Sequence, residues 1–536
     1  MARRIVIAAA LMATLVIPSL HAQAPRPVSP VPSPGSRLIT PGGQLAPGPG
    51  AQTLELTLER MVELGLRDSY RVRQLQLEVE RTRSLLKAAQ AGLKSRVDLN
   101  IAAPEFQAIS ENKWNSDLQR NELIAENTRR FQTDLSIRQP VILFGFPTNG
   151  TLSLNNRVYR YTQIDGDEYD VRYYNRYFLG YDQPLFQPNR MKNDLEGAQL
   201  DLEDSELDYQ DDVVEMIDEL AGDYFELLED AQRQELAADV VRDLEAAAAA
   251  ARDIVAANAT RAIELDQLQV ELANAREDYN QAGSSLRLQT ENLKQQLRLP
   301  ATTNLAIRPT LEVRPVVVDP TRAIELARTL APRMRQLAIQ MRENEIRLDE
   351  TKGQDAFRMN VGFTYGREMQ DPLFRNLLQE PRNSYTVDVT ARVPLWDWGQ
   401  RRHRIQAQEH SLERVRLSIE EAQSDIETRV RSQVRSLEEY RQRLVNMQEN
   451  RELARTTTES TLERYRAGEV TLVDLLQTID RESSTAGNFL QAFMGYQQTL
   501  RRLKELTYYD FEYDMPLVER FAVTAGAAAP AATPEK

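Results

Sequence analysis

The chain has 536 residues, no Cys, a formal net charge of −14, and 27% charged against 41% hydrophobic residues. The missing thiol excludes disulfides, thiol nucleophiles, Cys-type zinc sites and a lipidated N-terminal cysteine, and the acidic balance offers nucleic acid no basic face. Beyond the N-terminus no window of about 18 apolar residues occurs, which excludes helical membrane spans there.

Arg3 and Arg4 precede the apolar run Ile5 to Leu20, and small residues follow at Ala22 and Ala24. This is the layout of a secretory signal peptide over 1–24, cleaved after Ala22 or Ala24, so the mature chain is expected outside the inner membrane. Residues 25–52 are dominated by Pro and Gly and read as a disordered lead. A helical segment is expected over 56–94. At Val97 the period changes to two: Val97, Leu99 and Ile101 alternate with Asp98 and Asn100, the pattern of a strand with one apolar face. Similar runs cover 131–138, 151–161 and 173–185. From Asn189 to Leu299 there is no Pro, and two long helices with a break near Asn258 to Ala262 account for the stretch. The helix before that break ends in Ala246 to Ala251, small residues that allow close helix approach or simply favour helix.

Residues 301–320 form a Pro-containing connector, and a helix follows over about 321–352. Two more strands lie at Met359 to Tyr365 and Tyr385 to Val393. From Arg401 to Ala467 there is neither Gly nor Pro, and Ile405, Leu412, Val415, Ile419, Ala422, Ile426, Val430, Val434, Leu437, Tyr440, Leu444 and Met447 fall on one helical stripe. A turn at Tyr465-Arg-Ala-Gly-Glu-Val-Thr471 leads into a returning stripe from Leu472 to Leu503. At about 1.5 Å per residue, a helix of about 65 residues is about 100 Å long, a rod that spans a distance rather than filling a globular core. Residues 509–536 read as a C-terminal tail.

The series helix, strands, long helix pair occurs twice. Arg71-Val-Arg-Gln-Leu75 lines up with Arg333-Met-Arg-Gln-Leu337 at a separation of 262, and the same separation carries Val97, Leu99 and Ile101 onto Met359, Val361 and Phe363. A separation of 208 puts Asp266 on Asp474 and Gln269 on Gln477. The repeats are therefore 53–300, with strands about 96–187 and helices about 189–299, and 321–508, with strands about 357–396 and helices about 400–507. Phe131 to Gly145 matches Tyr385 to Gly399 at a separation of 254, yet Pro184-Leu185-Phe186 also matches Pro394-Leu395-Trp396. The first repeat thus carries an extra strand pair.

Amphipathic strands in an exported chain without membrane helices are what an outer-membrane barrel requires, because in lipid strands cross only as a closed sheet. Four or six strands are too few to close one, since barrels begin at about eight. Three chains would supply about twelve strands, or about eighteen if the extra pair joins the wall.

The layout resembles the TolC family of outer-membrane efflux and secretion channels over roughly 53–508. The segments most like it are Leu54 to Ile101, Val393-Pro-Leu-Trp-Asp-Trp-Gly-Gln-Arg401 and Arg464 to Leu476, of which the last, placed on a helical turn, is the most specific. The resemblance implies a mainly α, α+β fold: a coiled-coil tunnel with an equatorial belt, continuing an antiparallel β-barrel shared by three protomers. It also implies localisation in the cell outer membrane with a periplasmic helical extension. The implied partners are two further copies of the chain, a periplasmic adaptor, an inner-membrane transporter and outer-membrane lipid, in an efflux pump or type I secretion system. Adaptor docking falls by resemblance on Ala467, Gly468 and Glu469, and in the first repeat on Ala259, Thr260 and Arg261. Tyr465, Asp474, Asp266 and Gln477 fall where the family places periplasmic gate residues. Val470 stands where some members carry a gate-locking Arg and Gln477 where some carry a second Asp, which puts a salt-bridged lock of that type in question.

Simpler roles stand beside these. Thr471 and Asp474 form a capping box, so Asp474 serves the helix start whether or not it also gates. The acidic surface from Asp201 to Asp230 reads either as a cation-favouring lining or as a solvated helix face. His403 and His410 share a helix face without a Cys or carboxylate set to complete a metal site. No nucleophile elbow, phosphate loop or metal cluster is present, so neither enzymatic activity nor a cofactor is expected. The competing reading is a periplasmic coiled-coil scaffold or adaptor without a pore, which would have no use for amphipathic strands at one end of its helices.

Overall fold

The computed structural model describes residues 53–115, 119–165, 168–257, 262–307, 311, 315–379 and 381–525. The expected signal peptide and lead, the first-repeat turn at 258–261 and the segment 526–536 lie outside these residues.

In chain order the elements begin with strand β1 (Thr53–Glu55) and helices α1 (Leu58–Asp68) and α2 (Tyr70–Gly92). Strands β2 (Arg96–Asn115), β3 (Arg120–Leu143), β4 (Phe146–Asp165) and β5 (Glu168–Leu185) follow, then helices α3 (Arg190–Ala257) and α4 (Ala262–Gln296). The second repeat runs through β6 (Asn304–Ala306), α5 (Pro320–Leu330), α6 (Pro332–Gln354), β7 (Arg358–Asp371) and β8 (Arg382–Arg392) to α7 (Gln400–Arg466) and α8 (Leu472–Thr507). Strands β9 (Tyr509–Asp510) and β10 (Met515–Pro516) and helix α9 (Leu517–Ala525) end the described chain.

The long helices are 68 and 35 residues in the first repeat and 67 and 36 in the second, lengths that agree with a duplicated unit. Each pair is held by its apolar stripe. Val430, Val434, Leu437 and Leu444 of α7 are buried against Phe489, Phe493, Tyr496, Leu500 and Leu503 of α8. Toward the turn, Ala247, Ala248 and Ala251 of α3 are buried in one cluster with Leu268 of α4 and Leu475 and Ile479 of α8. The alanine run is thus a packing surface, where small side chains let the helices close up.

Each short helix expected before the strands is two helices. Ser69 (φ −72°, ψ 134°) breaks the first, its hydroxyl accepting from the Arg71 amide at 3.1 Å. Ala331 (φ −68°, ψ 126°) breaks the second, because the following Pro332 disfavours a helical residue before it. The two breaks lie 262 residues apart, at equivalent points of the repeats. Near the middle of α3, Met61 and Val62 of α1 and Leu517 and Phe521 of α9 pack with Val214, Ile217 and Leu220. There β1 pairs in parallel with β6. The expected C-terminal tail is therefore folded as far as Ala525. Lys504 and Arg520 converge there on the buried carboxylate of Asp510, with Lys504 Nζ at 2.9 Å. Burial alone would raise the Asp510 carboxyl, but the two cations outweigh it and hold it below the ordinary range.

One sheet contains six strands in the order β2-β3-β4-β5-β7-β8, every neighbouring pair antiparallel. The extra strand pair of the first repeat lies within this sheet.

Candidate functional site: the strand wall and the helical tip

The pairing register sorts the sheet into two faces. Val97 pairs with Ile137, Ile137 with Leu154, Leu154 with Leu179, Leu179 with Tyr365, and Tyr365 with Tyr385, an apolar row across all six strands. Leu99, Leu135, Leu152, Phe363, Val387 and Val389 widen this row into a band, and all of them are exposed. The opposite face carries Asp98, Ser136, Asn155, Arg157, Thr364 and Thr386, tied by ion pairs such as Arg157 to Asp134 at 2.5 Å. One face is thus suited to hydrocarbon and the other to water, the alternation a transmembrane barrel needs. No helix among the described residues is long and apolar enough to cross a membrane.

The helix-side end of the sheet is ringed by exposed aromatics. Trp396 and Trp398 lie edge to face at the corner between β8 and α7, their centroids 5.4 Å apart. Phe186 stands beside Phe357 at the corner between β5 and α3. Phe144, 99% exposed, and Phe146 sit on the turn between β3 and β4. Aromatic rings at one level of a strand wall mark where lipid meets water.

At the far end of the helices, α7 closes in a Schellman motif: Gly468, at φ +76°, donates to the Tyr465 carbonyl and Glu469 to that of Arg464, both at 2.9 Å. Gly468 is used because this position needs positive φ. Ala467, Gly468 and Glu469 are exposed together at the tip, while Ala259, Thr260 and Arg261 are outside the described residues. Asp474 completes the capping box, its carboxylate accepting from the Thr471 amide at 3.1 Å and hydroxyl at 2.6 Å. These bonds hold its pKa below the ordinary carboxylate value. Asp266 and Gln477 are exposed on α4 and α8. Tyr465 differs from them: it is fully buried, and its hydroxyl donates to Glu264 at 3.1 Å. Within one chain Tyr465 is thus a packing residue joining α7 to α4, because the aromatic ring gains more from the apolar cluster than from solvent.

The acidic surface of α3 is largely engaged by neighbouring helices. Arg71 and Arg83 of α2 reach Asp212 at 2.8 Å and Glu206 at 3.2 Å, and Arg335 and Arg342 of α6 reach Glu203 at 2.5 Å and Glu196 at 2.6 Å. Many of these carboxylates therefore hold helices side by side, a role the sequence could not separate from solvation. A different acid stands out nearer the tip. Burial, with Glu482 and Asp239 beside it, pushes Asp243 up to about 6. Among the described residues no group of His, Asp and Glu is arranged to hold a metal ion.

A strand wall with one apolar face, carried on paired helices of this length, defines the class of outer-membrane channels. Comparison with known proteins agrees. Residues 324–507, nearly the whole second repeat, match the family model described as outer membrane efflux protein. The chain is similar to the Campylobacter jejuni CmeC outer membrane channel, with a TM-score of 0.61 at 14% identity over 88% of each chain. It is similar to VceC of Vibrio cholerae, with a TM-score of 0.60 at 12% identity over 85% of this chain and 96% of that one. The open-state Neisseria gonorrhoeae MtrE outer membrane channel gives a TM-score of 0.58 at 14% identity, over 84% and 88%. No curated protein matches in sequence. At these identities the structures establish the fold, and the family model covers residues 324–507.

Proposed function

We propose that three copies of this chain form the outer-membrane exit duct of a tripartite efflux pump or type I secretion system. The observation that carries this reading is a single six-strand sheet with a continuous apolar face, joined directly to helices of 68 and 67 residues. A periplasmic scaffold would expose that face to water at a cost of about 25 cal/mol per Å², whereas a membrane removes it. Among the described residues the outer edges of β2 and β8 have no pairing strand, and edges cannot stay open in hydrocarbon. Pairing β8 of one copy with β2 of the next closes the wall. The sheet then lies in the outer membrane and the helices extend into the periplasm.

In this assembly the exposed tip of Ala467, Gly468 and Glu469 faces the inner membrane and receives a periplasmic adaptor. Asp266, Asp474 and Gln477 are the exposed candidates for narrowing the opening, and Tyr465 sets the helix spacing behind them. Purified in detergent, the protein should be a trimer giving discrete conductance steps in a planar bilayer; recovery as a water-soluble periplasmic monomer would overturn the duct. Gly468→Trp should abolish adaptor cross-linking while the trimer still assembles, and undiminished cross-linking would move docking away from this turn.

A further inference from the structure

We infer that all six strands belong to the membrane wall, so that the duct opens through a barrel of about eighteen strands rather than twelve. This inference rests on the trimeric reading above and concerns the strand pair that the second repeat lacks.

Three independent features place that pair in the wall. The ladder continues on both sides of β4: it pairs with β3 from Phe146 to Ile164 with one register shift between Pro140 and Ile142, and with β5 from Thr151 opposite Asp182 to Asp165 opposite Glu168. A hairpin folded into the lumen or laid outside the barrel would have to leave the ladder on at least one side. The apolar band also continues through β3, β4 and β5 without a gap, with Leu135, Leu154 and Leu179 as exposed as Phe363. Had the pair faced an aqueous lumen, that face would not be apolar. Finally, the turn between β3 and β4 carries Phe144 and Phe146 as exposed aromatics, like the residues at both barrel-to-helix corners.

Circumference gives the same answer. Strands about 4.8 Å apart and tilted about 40° take about 6 Å of circumference each, so eighteen span about 110 Å and twelve only about 75 Å. Where the helices meet the sheet, α2, α3, α6 and α7 give four per chain and twelve in the trimer, and at about 9 Å apart these need about 110 Å. An eighteen-strand wall therefore continues the tunnel without a constriction at the membrane, a bore suited to bulky solutes.

The native absence of Cys permits a direct test in the full-length protein. Single-cysteine variants Leu135→Cys, Leu154→Cys, Leu179→Cys and Asn155→Cys, with Val387→Cys as reference, are labelled with bimane and reconstituted into liposomes containing doxyl-phosphatidylcholine. Quenching at 135, 154 and 179 should equal that at 387, with Asn155 spared. Quenching at 387 but not at 154 and either 135 or 179 would overturn the inference. A cross-section of the same assembly by electron cryomicroscopy should count eighteen strands, and twelve would be equally fatal. Native mass of the sample separates the two failures: a number of chains other than three removes the trimeric reading, whereas three chains with unquenched extra strands removes only the wider wall.

Discussion

The two repeats reach the same backbone corner and leave it in different directions. Phe144 and Gly145 have φ of 52° and 85°, and their counterparts Trp398 and Gly399 have 56° and 83°. After Gly145 the chain folds back as a strand, Leu143 pairing with Phe146 across a two-residue turn. After Gly399 it becomes a 67-residue helix. One side chain marks the difference. Asp397 accepts from the amides of Gly399 and Arg401, both at 2.9 Å, and so satisfies the first turn of α7. The first repeat has Leu143 there, which can cap nothing, and the sequence beyond it alternates with period two. A left-handed residue pair thus sets only a change of direction; the neighbouring cap and the downstream periodicity decide whether a helix or a strand leaves the corner. The repeats also close differently at the equator, the first through the backbone pairing of β1 with β6, the second through the buried charges around Asp510.

That contrast between closures predicts the largest effect. Asp510→Asn removes the carboxylate that Lys504 and Arg520 share, leaving Lys504 with Glu512 and Arg520 with Glu59, and should destabilise the assembly by about 2–3 kcal/mol, measured by denaturant unfolding. The depressed pKa fixes the sign of the pH dependence. Asp510 contributes its full stability above the unfolded carboxylate value of about 3.9 and loses it as pH falls through the lower folded value. The variant should therefore lack the wild type's acid-induced loss in that window.

At the corners, Gly399→Val and Gly145→Val should each cost about 1–2 kcal/mol through positive-φ strain, since no neighbour crowds either position more closely than van der Waals contact. Asp397→Ala should separate them. Amide exchange at Arg401 should speed up, whereas Leu143→Ala should leave the amides of Gly145 and Phe146 unchanged in rate; equal effects would dissolve the distinction between the corners.

The smallest effect concerns the tip-ward contact of α3 with α8. Burial, and then Glu482 and Asp239, push the Asp243 carboxyl up to about 6, with Arg242 and Arg455 opposing. The folded state binds its proton more readily than the unfolded chain, so this contact should tighten as pH drops from 7 to about 5. Asp243→Asn should be tightened already at pH 7 and flat over that range, as read by hydrogen exchange in α8. A wild-type profile without any pH dependence there would rule out the raised pKa.

The sequence by itself determined the pieces and their duplication. Periodicities of 3.6 and two mark the long helices and all six strands, Gly468 marks the tip, and separations of 262 and 208 reveal the repeat, because each is written in residues near one another or in direct correspondence. Local pattern did not reveal the helix break at Ser69, where a hydroxyl cap competes with good helix formers on either side. Nor could it settle the fate of side chains whose partners lie far along the chain. Only the tertiary structure turned Tyr465 inward to Glu264, gave the carboxylates of α3 their arginines on α2 and α6, folded 509–525 onto α1 and α3, and joined the extra strand pair to the same sheet. Burial and pairing depend on which elements meet in space, and that information is distributed over hundreds of residues rather than carried by any one segment.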